Sequence, residues 1–286
     1  MAVVNEIGQK LNKEYNVRRT TYDVKPLWKW SYLIYLTIQW LIVALVYHLL
    51  SSNGFIVSSA VYWLVAGMGM LAIALMTLGM LKKNISYIWW EALLIGFVFC
   101  GIWMLCLAVL PIWAAVIVAG LATLLPYLSP RVLLHDFSFL IGTIGMGLFI
   151  AIRFPFSVLL IGSIGVVIYE YLRQNQIQMA TLISEAYKVG LPPGILLPAS
   201  MSGWFKSIDE VWKAGEGMIV GLLPLILLPA ISLRVLHYGW PIFVAMFALI
   251  ALGGAVWGQD SKLYLRSWFF LSIAVVFYAL TGLVNL

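Results

Sequence analysis

The sequence predicts an all-α fold, a polytopic transmembrane helical bundle of about nine spans with its N-terminus inside and its C-terminus outside. Three observations lead there. Of the 286 residues, 63% are hydrophobic and only 10% charged, against roughly 25% charged and 45–50% apolar in an ordinary soluble domain. The apolar residues fall in runs of about 20, the length a helix rising about 1.5 Å per residue needs to cross a hydrocarbon core of roughly 30 Å. The basic residues also divide very unequally between the two sides of the bundle that those runs imply.

The runs cover 27–50, 55–81, 88–108, 110–128, 134–152, 154–172, 216–236, 240–257 and 267–283. Spans three and four are divided only by the turn around Pro111, and spans five and six only by Arg153 and Pro155. If either pair is one bent helix, the count falls by one. With the N-terminus inside, 15 of the 17 Lys and Arg lie in the cytoplasm and only Arg153 and Arg234 lie outside, the excess that the positive-inside rule demands. A span missed or invented in the middle would switch the side of every later loop. The same rule accounts for the formal charge of +6 without nucleic acid as a partner.

Residues 1–26 read as a cytoplasmic N-terminal segment whose alternating charges and lack of an apolar core rule out a signal peptide, so the first span is itself the insertion signal. Residues 27–286 read as one transmembrane domain with a long cytoplasmic connection at about 173–215. In that connection Met179, Leu182, Ile183 and Ala186 follow i, i+3, i+4, i+7 spacing, so the sixth helix is expected to continue as an amphipathic extension. Gly190, Pro192 and Pro193 end it. The apolar run Ile195, Leu196, Leu197, closed by Pro198, is too short to cross a membrane and is expected to be an extended interfacial segment. Ser207 to Glu210 has the spacing of a capping box with acids in the first turn, so the seventh helix is expected to start before it enters the lipid.

A charge at mid-bilayer costs on the order of 3 kcal/mol on insertion scales, which makes the acids within spans the first candidates for function. Glu91, Asp136, Glu170 and Glu216 are all near span ends and are expected to be hydrated helix-end charges. His135 beside Asp136 leaves a proton relay or half a metal site open. The other histidines, His48 and His237, fall on the outer side, so no ligand cluster forms and neither metal nor cofactor is expected. Cys100 and Cys106 are six residues apart on one helix, roughly 9 Å along its axis, and cannot pair with each other. Gly142, Gly145 and Gly147, Gly162 and Gly165, and Gly217 and Gly221 are expected to let helices approach closely. The 13 Trp and 14 Tyr mostly flank spans and are expected to anchor at the interface. Nucleophile-elbow, zincin, phosphate-loop and prenyl-diphosphate motifs are absent.

Val167-Ile168-Tyr169-Glu170-Tyr171 near the end of span six, the amphipathic run to Lys188 and the apolar Ile195-Leu196-Leu197-Pro198 together resemble presenilin and its archaeal presenilin-like relatives, the intramembrane aspartyl proteases. The likeness covers mainly residues 134–232. The nine-span topology and the long cytoplasmic connection between spans six and seven agree with it. That family cleaves peptide bonds in the bilayer with two aspartates sharing a proton, one acting as base on water and the other as acid. The resemblance puts the first acid at Glu170, one methylene longer, and the second at Pro224, within Gly221-Leu222-Leu223-Pro224, where nothing can titrate. Glu216, roughly 12 Å earlier on the same span, is too far away to replace it. The family's Pro-Ala-Leu element is also missing from Lys262-Leu263-Tyr264-Leu265-Arg266.

The resemblance with a degenerate dyad implies a non-catalytic integral membrane protein of the cell membrane. Such a protein would hold hydrophobic helices of other proteins or pack as a subunit of a larger membrane complex. An active intramembrane aspartyl-type protease is the enzyme alternative, with Glu170 as one acid and another, unrecognised one. Cleavage of a model transmembrane peptide that survived Glu170→Gln would exclude that assignment. A transporter or channel ranks third, because few polar side chains converge near the helix-breaking Pro224 and Pro229.

Overall fold

A computed structural model describes residues 28–53, 64, 67–69, 71, 72, 75, 87–107, 109–173, 194–214, 217–257 and 267–284. The described chain is mostly helical. Its elements are α1 (Trp28–Asn53), α2 (Tyr87–Cys106), α3 (Ile112–Leu128), α4 (Val132–Arg153), α5 (Phe156–Arg173), β1 (Gly194–Pro198), a 3₁₀ turn (Met201–Phe205), α6 (Ile208–Lys213), β2 (Gly217–Gly221), α7 (Leu222–Tyr238), α8 (Trp240–Trp257) and α9 (Ser267–Val284). Among the described residues, Ser31–Leu49 and Val132–Arg153 are helices long and apolar enough to cross a bilayer, and six shorter apolar helices accompany them. The second predicted span, the amphipathic run at 178–188 and its stop at Gly190 to Pro193 fall largely or wholly outside the described residues.

Both doubtful breaks are real. The chain leaves helical geometry between Cys106 and Ile112 and again at Phe154 and Pro155, where a proline has no N–H to continue the ladder and biases the preceding residue away from helix. The seventh predicted span needs correction. Ser207 Oγ accepts from the Glu210 N–H and the Glu210 carboxylate accepts from the Ser207 N–H, both at 3.2 Å, so the capping box exists. It starts only the short α6, however. Gly217–Gly221 is then a strand, and the long helix begins at Leu222, because a backbone paired across a ladder cannot also make i to i−4 bonds.

Helix α4 is the centre of the bundle and packs mainly against α2 and α7. Glycines set those contacts. A Cβ on Gly101 or Gly145 would collide with the backbone of the facing helix, and one on Gly147 would sit 2.7 Å from the Ile226 carbonyl oxygen of α7. Close backbone approach of this kind adds dispersion contacts along both helices. Two of the expected glycine pairs act otherwise. Gly162 and Gly165 on α5 face open space, and Gly217 and Gly221 lie in β2.

Helix α3 contains Pro126, which removes the N–H that would bond the Ala122 carbonyl. Ser138 of α4 fills the gap, its hydroxyl donating to the Ala122 oxygen at 2.7 Å. Ser138→Ala therefore leaves a carbonyl unpaired and is expected to cost about 1 kcal/mol, read as a lowered midpoint of thermal unfolding in detergent.

Aromatic side chains are also more internal than anchoring at the interface requires. Tyr32, Tyr35 and Tyr278 are buried. Tyr278 lies 4.4 Å from Phe156 and Tyr32 lies 4.8 Å from Phe270, ring centre to ring centre. Trp40 stacks on Phe243 at 5.5 Å, tying α1 to α8.

The loops pair by side. Residues 130–132 between α3 and α4 bond to residues 206–208, through the Lys206 carbonyl to the Val132 N–H and the Pro130 carbonyl to the Ile208 N–H. At the other end of α4 the Arg234 guanidinium donates to the Phe154 carbonyl at 2.7 Å, beside Arg153.

Candidate functional site

Among the described residues, the interior of the bundle holds one antiparallel strand pair. β1 and β2 align Ile195 with Val220, Leu196 with Ile219 and Leu197 with Met218, and every β1 residue is buried. The run Ile195–Leu197 is thus extended as expected but internal rather than interfacial. A strand in an apolar interior must satisfy both of its edges, since an unpaired backbone group there has no water to turn to. In an antiparallel ladder a residue directs its N–H and C=O to the same side, alternating along the strand. Leu196 and Pro198 therefore share an edge.

Two helices serve that edge. Asp136 Oδ1 accepts the Leu196 N–H at 2.9 Å, and the Ser31 hydroxyl of α1 donates to the Pro198 carbonyl at 2.6 Å. Leu196 thus turns away from β2. Pro198, turned the same way, loses no ladder bond by lacking an N–H.

Asp136 stands in the second turn of α4 and is 4% exposed. The expectation that it is hydrated fails, because β1 covers it. His135 Nδ1 lies 3.1 Å from the same Oδ1, and the imidazole stacks on Phe139, one helical turn on, at 5.5 Å. Through this Leu196 bond Asp136 clamps β1 to α4. Its Oδ2 and His135 Nε2 have no partner among the described residues.

A polar stripe on α1 that sequence reasoning missed reaches this pair through Tyr35. Ser31, Tyr35 and Gln39 follow i, i+4, i+8 on α1, with Tyr32 beside them, and all four are buried. Tyr35 is within Coulombic reach of Asp136. Both tyrosine hydroxyls and both polar atoms of the Gln39 amide lack partners among the described residues. The spacing alone could have revealed it, since polar residues recurring every fourth position through an apolar span share one face.

Glu170 and Pro224, singled out by the family resemblance, belong to elements other than the one that carries Asp136. Glu170 belongs to α5, which packs chiefly against α9, and its side chain, like that of Glu91, lies outside the described residues, as does Glu216 altogether. Pro224 is buried in the first turn of α7, where its missing N–H is one the helix would leave unbonded anyway. It therefore does not kink the helix, and it lines a small apolar cavity of about 20 Å³ with Tyr32, Tyr35 and Leu271. No group of three or more His, Cys, Asp or Glu that could hold a metal exists among the described residues, so nothing described completes the half site that His135 and Asp136 would form. Cys100 is buried and Cys106 half-buried, both as free thiols. Comparison of the chain with protein-family models, with curated proteins and with solved structures finds no match.

Proposed function

We propose that this chain is a multi-pass protein of the cell membrane, with about nine spans on a presenilin-like scaffold. It has no proteolytic activity, and it holds hydrophobic helices of other proteins or packs as a subunit of a larger membrane complex. The observation that carries this reading is the state of the acids. Among the described side chains Asp136 is the sole buried carboxyl, and its Oδ1 is committed to Leu196 and His135. Pro224 stands buried where the resemblance requires a second acid, and water-splitting by paired carboxyls needs both.

Two further features support the membrane part. Arg131 and Lys206, both on the inner side by charge, belong to loops that pair with each other, while Arg153 and Arg234, both on the outer side, meet at Phe154. Helix α3 turns Trp113, Ile117, Leu121 and Leu128 outward, all more than half exposed, a surface suited to lipid or to a neighbouring helix rather than to water. Purification in mild detergent is expected to bring down partner membrane proteins in fixed ratio. A clean monomer that retains nothing overturns the reading.

A further inference from the structure

His135 and Asp136 are, respectively, 2% and 4% exposed, and among the described residues the groups around them offer no compensating charge. From α1 the facing titratable group is Tyr35. From α3 it is Tyr127, which lines a small cleft with His135. β1 brings only backbone, and α2 brings Leu94, Ile95 and Val98. The basic residue of α7, Arg234, is engaged at the opposite end of α4. Arg131, one turn before His135, is exposed and contributes its carbonyl to the His135 N–H. An ionised Asp136 beside a neutral His135 would thus be a net negative charge in a low-dielectric interior, which is costly. One added proton makes the pair neutral, whether it sits on the imidazole or on the carboxyl group.

We propose that the His135–Asp136 pair is a binding site for one exchangeable proton inside the bundle. Loading takes a proton from water onto the pair and unloading returns it, with no electron transferred. Within the loaded pair the proton moves along the 3.1 Å line between Nδ1 and Oδ1. Oδ1 is also the atom that holds the Leu196 amide, so the position of the proton sets how strongly β1 is gripped. An anionic oxygen holds that amide more strongly than a protonated one. β1 is paired with β2, and β2 runs directly into α7, which links proton occupancy to the seating of α7. This inference is independent of whether the protein holds partner helices.

Infrared difference spectra of the full chain in phosphatidylcholine nanodiscs, stepped between about pH 4 and 9, test the proposal. A carboxyl band is expected that disappears in Asp136→Asn and whose midpoint moves by about one pH unit or more in His135→Gln, as coupled groups require. The same titration in wild type and Asp136→Asn overturns the proposal. Should that variant fail to fold, wild-type chain labelled with ¹⁵N-histidine gives three imidazoles, assigned by the signal lost in His135→Gln. The Leu196 amide is expected to change its exchange rate over the pH interval in which the pair takes up its proton, read from the His135 signal. A Leu196 amide whose exchange does not follow the His135 signal overturns it.

Discussion

Replacing Gly145 by leucine is expected to force α2 and α4 apart and to cost at least about 3 kcal/mol, because the new Cβ would meet the backbone of Gly101 rather than a side chain able to move. Overpacking is tolerated where a rotamer can shift, and a helix backbone cannot shift locally without moving its whole length. The chain carries its own reporter. Cys100, next to Gly101, is 1% exposed, so in a Cys106→Ser background its reaction with a maleimide follows the opening of the α2–α4 contact. Gly145→Leu should label at least tenfold faster than the parent. Gly162→Leu, made where no atom lies within 4 Å of the added carbon, should label at the parental rate. Equal rates for all three would remove the close glycine contact as the seam of the bundle.

Asp136→Ala should be nearly as damaging for a different reason. It leaves the Leu196 amide and the His135 imidazole buried without their common partner, and a buried polar group stripped of its partner costs about 1–3 kcal/mol. With two polar groups stranded, about 2–4 kcal/mol is the expected loss. Asp136→Asn keeps an acceptor oxygen and should lose less than half as much. The measurement is the thermal midpoint in detergent, together with amide exchange at β1. If Asp136→Ala and Asp136→Asn melt together with wild type, the carboxylate does not anchor the strand.

Ser31 supplies the second hold on the same edge. The strand pair is therefore tied to α1 through a hydroxyl and to α4 through a carboxylate, and it continues into α7. These ties converge near the ends of α1 and α4 that the charge rule places inside. A perturbation of the pair should be felt there and not at the Arg234–Phe154 contact at the far end.

Much of the fold was legible in the chain, and the reason is local. Helix after helix could be read because each apolar run has to satisfy its own backbone bonds, and turns could be read because Pro111 and Pro155 interrupt those bonds wherever they stand. The capping box at Ser207 and Glu210 was legible for the same reason, since both partners lie within one turn. The identity of Asp136 and His135 as a neighbouring pair was likewise open to inspection.

Tertiary structure alone decided the rest. Whether Ile195–Leu197 lay at the interface or inside depended on finding β2 some 20 residues later in the chain and Asp136 60 residues earlier, and no local periodicity encodes such a partner. Gly145 and Gly162 look alike as small residues in apolar helices, and only the backbone brought against one of them separates seam from surface. The start of α7 was misplaced because strand pairing across the chain took residues 217–221 out of the helix. Short-range hydrogen bonding is thus written in the order of residues, whereas a long-range contact exists only once the helices have packed and chosen which polar groups must satisfy one another.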